Sequence, residues 1–185
     1  MDKFVIQGGI PLQGEITPSG NKNAALPLLA ACILTSEPVI LNNVPEINDV
    51  KAMMDLLMSI GVDITHLGNH SWKIHARDIH CSNLTPDLCT KIRASILLAG
   101  PVIARTGELQ LPPPGGDVIG RRRLDTHILA LEALGIKTTY KKENKIFEFS
   151  TDQLIGTEIL LDEASVTATE NAVMAAVLAK GETII

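Results

Sequence analysis

The sequence predicts an α/β protein built from a repeated helix-strand-helix-strand-strand unit, and three observations carry that prediction. Runs rich in Ala and Leu with helical spacing alternate with short β-branched runs bounded by Gly, Pro and Asn. The order of these segments occurs twice and starts a third time. The punctuating glycines recur at one interval: Gly61 and Gly135, each placed to stop a helix, stand 74 residues apart, as do Gly107 and Gly181, each followed by Glu and a strand.

Taken in order, residues 3–7 read as a short strand, followed by a Gly-Gly turn and a second extended piece at 12–16. The polar turn Ser19-Gly20-Asn21-Lys22-Asn23 then leads into a helix over 24–34, which puts Lys22 and Asn23 at a helix N-terminus, where free N–H groups and the positive dipole end favour an anion. The first unit continues with a strand at 37–41, a loop at 42–46, a helix at 48–60 and paired strands at 63–66 and 71–75. The second has a helix at 90–104, a strand at 107–111, a helix at 125–134 and paired strands at 137–141 and 145–149. A strand at 158–161, a helix at 169–179 and the start of a strand after Gly181 open the third. A unit that buries one face against its sisters and stops inside its first strand reads as the front part of a longer protein.

Between the helix and strand signals of the second unit lies Pro112-Pro113-Pro114-Gly115-Gly116-Asp117-Val118-Ile119-Gly120-Arg121-Arg122-Arg123. Prolines stiffen the approach, glycines permit close backbone contacts, and Asp117 is set beside three guanidinium groups. Clustered arginines offer forked donors that match phosphate or carboxylate, so this loop is the first candidate for an anion site, with Asp117 as an acid or base among cations.

Composition narrows the classes. With 185 residues, 45% of them hydrophobic, the chain can bury a substantial core in one or two domains. A net charge of −5 argues against a general nucleic-acid or anionic-membrane binder, and 3% aromatics leave few rings for stacking bases. Cys32, Cys81 and Cys89 are odd in number, lack CxxC spacing and follow no basic-then-apolar leader, which points to a reducing cytoplasm. No apolar run is long enough to span a bilayer. His66, His70, His75 and His80 form no HExxH pattern, so no metal site is expected, and the phosphate-loop signatures are absent from the sequence.

Four separated motifs, Ser19-Gly20-Asn21-Lys22-Asn23-Ala24-Ala25-Leu26-Pro27, Arg93-Ala94-Ser95, Pro114-Gly115-Gly116 with Ile119-Gly120, Arg122, Asp125 and His127, and Ser165-Val166-Thr167-Ala168-Thr169-Glu170-Asn171, resemble the UDP-N-acetylglucosamine 1-carboxyvinyltransferase family of enolpyruvyl transferases. The resemblance runs the length of the chain. It implies transfer of the enolpyruvyl group of phosphoenolpyruvate to the 3-hydroxyl of UDP-N-acetylglucosamine with release of phosphate, the first committed step of peptidoglycan precursor synthesis, without a cofactor. It also implies an inside-out α/β barrel fold of two lobes, each of three units with helices inside and sheets outside. Residues 1–20 would then belong with the second lobe, and residues 21–185 would be an incomplete first lobe, with units at about 21–83, 84–157 and a truncated 158–185. The missing C-terminal lobe would be this chain's partner, and little turnover is expected without it.

Where its motifs match, the resemblance implies that Lys22 and Asn23 meet phosphoenolpyruvate and the sugar, and that Arg93 and Arg122 serve the phosphate-bearing substrates. The segment from Arg122 through Leu124 and Asp125 to Thr126 would hold the uridine end, and Ser165 with Val166 would meet the diphosphate. His127 is placed to orient the loop. Most members carry cysteine after Pro-Gly-Gly, as the proton donor to C3 of the enol, where this sequence has Asp117. A thiol titrates near 8.5 and a carboxyl near 3.9, so Asp117 needs a raised pKa to act as that acid. The same change predicts insensitivity to fosfomycin, which alkylates the loop thiol in this family. Two other readings stand beside this one: the sister 3-phosphoshikimate 1-carboxyvinyltransferase, whose first motif has Lys-Ser in place of Lys22-Asn23, and a non-catalytic nucleotide-sugar binding module.

Overall fold

A computed structural model describes residues 3–80, 84–115 and 124–185. Helix α1 (Lys22–Ala31) runs into a 3-10 turn (Cys32–Leu34), followed by β1 (Val39–Leu41), α2 (Asn48–Ser59), β2 (Asp63–Gly68) and β3 (Ser71–His75). The second passage has α3 (Pro86–Cys89), a 3-10 turn (Arg93–Leu98), α4 (Ala99–Thr106), β4 (Glu108–Leu111), α5 (Asp125–Ala133), β5 (Lys137–Lys141) and β6 (Ile146–Ser150), and α6 (Val166–Ala176) follows.

The repeat is real in backbone terms. Each passage makes a three-stranded antiparallel sheet in the same order, β1-β3-β2 and β4-β6-β5, with its last strand in the centre. Gly61 (φ 96°) and Gly135 (φ 93°) end α2 and α5 with the same pair of bonds. Gly61 N–H donates to Met58 O and Val62 N–H to Leu57 O, both at 3.1 Å; Gly135 N–H donates to Glu132 O at 2.9 Å and Ile136 N–H to Leu131 O at 3.2 Å. This closure requires a left-handed residue after the last turn, which is why glycine recurs at both places.

Alternation along the strands points one face of each sheet inward, through Ile74 in the first and Leu109, Leu111 and Phe149 in the second. The helices lie against one another within. Helix α6 packs on α1, α4, α5 and the Arg93–Leu98 turn, burying Ala168, Ala172 and Ala175. Small residues let the helix axes approach: a methyl on Gly100 would fall on the Asn171 carbonyl and within 2.6 Å of its side-chain oxygen.

Three expectations change. The single helix expected over 90–104 is broken into α3, a 3-10 turn and α4. Ser95 Oγ donates to the carbonyls of Cys89 (3.0 Å) and Ile92 (3.1 Å), and Pro101, lacking an N–H, fits only in the first turn of the new helix. Residues 3–20 contain no strand, and Phe4, Leu12 and Ile16 are more than 90% exposed, because neither sheet's edge takes up their backbone. The strand expected at 158–161 is reduced to isolated parallel bridges, Ile155 with Lys180 and Glu158 with Ile184.

Arg105, in the last turn of α4, ties the two passages together. Its guanidinium donates to the carbonyls of Ile33 (2.6 Å), Ala76 (3.2 Å) and Arg77 (3.2 Å), at the ends of elements from the first unit. Arg105→Met keeps the apolar stem and removes the donors; it should lower the free energy of unfolding by about 1.5–3 kcal/mol, the range for hydrogen bonds made by a charged group, and shift the urea midpoint without changing the slope. An unchanged midpoint would mean that these carbonyls are equally well served by water.

Candidate active site

The described parts of three motifs, carrying Arg93, Asp125 with His127, and Ser165, meet at the start of α5 and the start of α6. Ser165 caps α6: its side-chain oxygen accepts the Ala168 N–H at 3.3 Å and its carbonyl accepts the Thr169 N–H at 3.0 Å. The helix therefore begins at Val166, three residues before the expected start at 169, and Val166 is 74% exposed. The N–H groups of Val166 and Thr167 lie ahead of the intrahelical ladder, so they remain available to an anion. On α5, Asp125 is the first helical residue, Leu124 precedes it, and Thr126 is buried.

His127 joins these two starts. It is buried, with Nε2 3.2 Å from Thr167 Oγ1 and Nδ1 3.2 Å from Asn171 Nδ2. Asn171, also buried, accepts the Gly100 N–H at 2.7 Å and donates to the Ile96 carbonyl at 2.9 Å. Burial, and then the positive charge of Arg93, lower the imidazole pKa to about 4, so the ring is neutral at physiological pH. Arg93 is thus electrically part of this cluster; it is half-buried and leads the 3-10 turn that packs on α6. Glu170, on α6, has its carboxyl pushed up by burial. Thr167 and Asn171 carried no role in the sequence reading. A buried amide inside an alanine-rich helical run was the available signal.

Lys22 and Asn23 stand at the start of α1, but that end is not an open set of donors. Asn21 Oδ1 accepts the N–H groups of Asn23 (2.7 Å) and Ala24 (3.2 Å), so the expected free N–H seat is partly filled by a cap. Lys22 Nζ bonds Asp49 Oδ2 at 3.0 Å, with both side chains partly exposed. An incoming anion would compete with Asp49 in a solvated pair worth little by itself. Gly20 is needed here, since a Cβ would meet the Asn43 carbonyl and Pro45.

Asp117 and Arg122, with Gly116, Arg121 and Arg123, lie outside the described residues. The approach to them is described: Gly115 N–H donates to the Cys89 carbonyl at 3.2 Å, the oxygen that also receives Ser95 Oγ. A Cβ at Gly115 would strike the Thr90 backbone. The loop base is therefore bound to the segment that delivers Arg93.

The pH dependence of stability follows from His127. Its folded pKa of about 4 lies below the ordinary 6.5, so between these values the unfolded chain takes up a proton that the native protein refuses. That contribution is complete above pH 6.5 and is lost as pH falls toward 4. Between pH 7 and pH 4.5 the protein should lose about 2 kcal/mol more stability in urea titrations than its His127→Gln variant. Equal losses in the two proteins would refute the assignment.

Comparison with known proteins places this arrangement. Residues 6–185 match the family model described as EPSP synthase (3-phosphoshikimate 1-carboxyvinyltransferase). Relatives named UDP-N-acetylglucosamine 1-carboxyvinyltransferase include those of Bradyrhizobium diazoefficiens, 54% identical over 98% of this chain and 41% of its own length, and Treponema denticola, 54% identical over 100% and 43%. The Bacteroides fragilis relative is 47% identical over 100% of this chain and 44% of its own. The chain thus spans about two fifths of the length of the relatives it matches. Among solved structures, the enolpyruvyl transferase NikO from Streptomyces tendae superposes with a TM-score of 0.76 at 19% identity, covering 95% of this chain and 41% of its own. An EPSP synthase from Acinetobacter baumannii gives 0.71 at 18%, covering 92% and 39%. These two share the fold. With a family model matched over nearly all of its residues, this chain belongs to the EPSP synthase family, the enolpyruvyl transferases.

Proposed function

We propose that the protein to which this chain belongs transfers the enolpyruvyl group of phosphoenolpyruvate to the 3-hydroxyl of UDP-N-acetylglucosamine, releasing phosphate, in the cytoplasm, as the first committed step of peptidoglycan precursor synthesis. The observation that carries this reading is about 50% identity along the whole chain to relatives named for that activity. The converging helix starts support it, because paired N-termini beside Arg93 suit a diphosphate.

In this reading Ser165 and Val166 meet the diphosphate, Leu124, Asp125 and Thr126 hold the uridine end, and Arg93 and Arg122 take the phosphate-bearing groups. Lys22 and Asn23 meet phosphoenolpyruvate and the sugar, with Lys22 exchanging Asp49 for the substrate anion. The sugar hydroxyl gives up its proton to a base as its oxygen attacks C2 of phosphoenolpyruvate and a proton reaches C3; loss of a proton from C3 and of phosphate from C2 then restores the double bond. Asp117 supplies the proton to C3, which requires bound substrate anions to offset the field of Arg121, Arg122 and Arg123 and hold its carboxyl protonated. Residues 1–20 belong with a second lobe, whose sheets would give them the strand partners they lack here, and residues 21–185 form the first lobe, with units at about 21–83, 84–157 and 158–185. The second lobe supplies further ligands, so this chain alone has little turnover.

A second reading is favoured by the description of the matching family model: the same chemistry on shikimate 3-phosphate. Phosphate release by the product of the complete gene, with each acceptor in turn, separates the two. Release with the nucleotide sugar alone is expected; release with shikimate 3-phosphate alone would favour the second reading, and silence with both would leave a nucleotide-sugar binding module. Asp117→Asn should abolish turnover and Asp117→Cys retain it. The unmodified enzyme should withstand fosfomycin, and the Asp117→Cys enzyme should be inactivated by it with time. An active Asn variant would remove Asp117 from the proton transfer.

A further inference from the structure

The hydrogen bonds through His127 have a direction, and it is imposed from outside the ring. Asn171 Oδ1 accepts the Gly100 N–H at 2.7 Å, so the amide nitrogen faces the other way, with one hydrogen for the Ile96 carbonyl at 2.9 Å and one for His127 Nδ1 at 3.2 Å. Nδ1 is then an acceptor and carries no proton. The neutral ring keeps its proton on Nε2 and gives that hydrogen bond to Thr167 Oγ1 at 3.2 Å.

This chain of bonds has two separable halves. Asn171 holds α6 against α4 through Gly100 and against the Arg93–Leu98 turn through Ile96, and both bonds survive if the ring is replaced. The His127–Thr167 bond adds a different constraint. It joins a residue two places beyond Asp125 to one two places beyond Ser165, in the first turns of both helices. We infer that His127 is a positioning residue that sets the register between the Asp125–Thr126 start of α5 and the Ser165–Val166 start of α6, and through it the affinity for the nucleotide-sugar diphosphate. This rests on the substrate reading above. Lys22 and Asn23 stand on α1 and are held by Asp49 and Asn21, so phosphoenolpyruvate should depend on that register much less than the nucleotide sugar does.

The test uses the product of the complete gene and three variants: Thr167→Val, which removes the acceptor, His127→Phe, which fills the space without a donor, and His127→Gln, which restores an N–H. The KM for UDP-N-acetylglucosamine should rise about tenfold in Thr167→Val and His127→Phe, the scale of one net hydrogen bond, and recover in His127→Gln. The KM for phosphoenolpyruvate and kcat should stay near their original values, even though His127→Phe, by leaving Asn171 Nδ2 unpaired, lowers the unfolding temperature. A parallel rise in both KM values, no rise in either, or no recovery with Gln would overturn the inference. Histidine 15N NMR reads the tautomer independently of turnover: a bare Nδ1 with a protonated Nε2 supports the network, and the reverse refutes it. Should the unmodified protein turn over no nucleotide sugar, the substrate reading fails by itself. The register is then judged by amide exchange at Ala168 and Thr169, which must quicken in His127→Phe and would condemn the inference if unchanged.

Discussion

The buried amide of Asn171 is the contact on which the rest of the helical interior depends. It satisfies three partners from three different segments: the Gly100 N–H, the Ile96 carbonyl and His127 Nδ1. A polar group held out of water is tolerated because each of these bonds is made, and leaving any one unmade would cost about 1–3 kcal/mol. The requirement also fixes geometry. Gly100 must be glycine for α4 to come close enough, and the partners must present themselves in one arrangement.

That arrangement prepares the site. Two helix starts are brought together, each with backbone N–H groups ahead of its ladder, and Arg93 is added to them at the end of a segment that Pro101 and Ser95 keep from being ordinary α-helix. The positive character comes from Arg93 and the helix ends, not from the ring between them. Burial and Arg93 keep His127 neutral, so the ring acts as a directional hydrogen-bonding part and adds no charge of its own. Lys22 stands differently, in a partly exposed pair with Asp49 that an anion can replace.

The repeat explains why the site is assembled across units. The first two units each contribute a sheet with one buried face and helices too short to be stable alone, so stability is obtained only where units meet. Arg105 makes such a junction by spanning three carbonyls of the preceding unit. The network of Asn171 and His127 makes the next, between the second unit and α6, which follows it. At this second junction the starts of α5 and α6 are positioned by the same contacts that hold the helices together.

Much of this was legible in the residues. Helix-stopping glycines marked the period because a left-handed terminal residue is a local requirement, met by glycine wherever the neighbours lie. The motifs around Lys22, Arg93, Asp125 and Ser165 named the family for the same reason, being short and continuous. What the sequence could not supply were properties that need a partner distant along the chain. Residues 3–7 have strand-like composition but no edge to pair with among the two sheets, and the segment 90–104 has helical spacing but is broken by hydrogen bonds and a proline whose effects depend on local packing. Thr167, expected to precede the helix, and Asn171, expected within it, had no visible partner until α5 was laid beside α6. The sequence by itself determined the period and the family; the tertiary structure alone decided that Asn171 orients His127 toward Thr167, because a hydrogen bond's direction is set by all of its partners together, and these come from segments up to 75 residues apart.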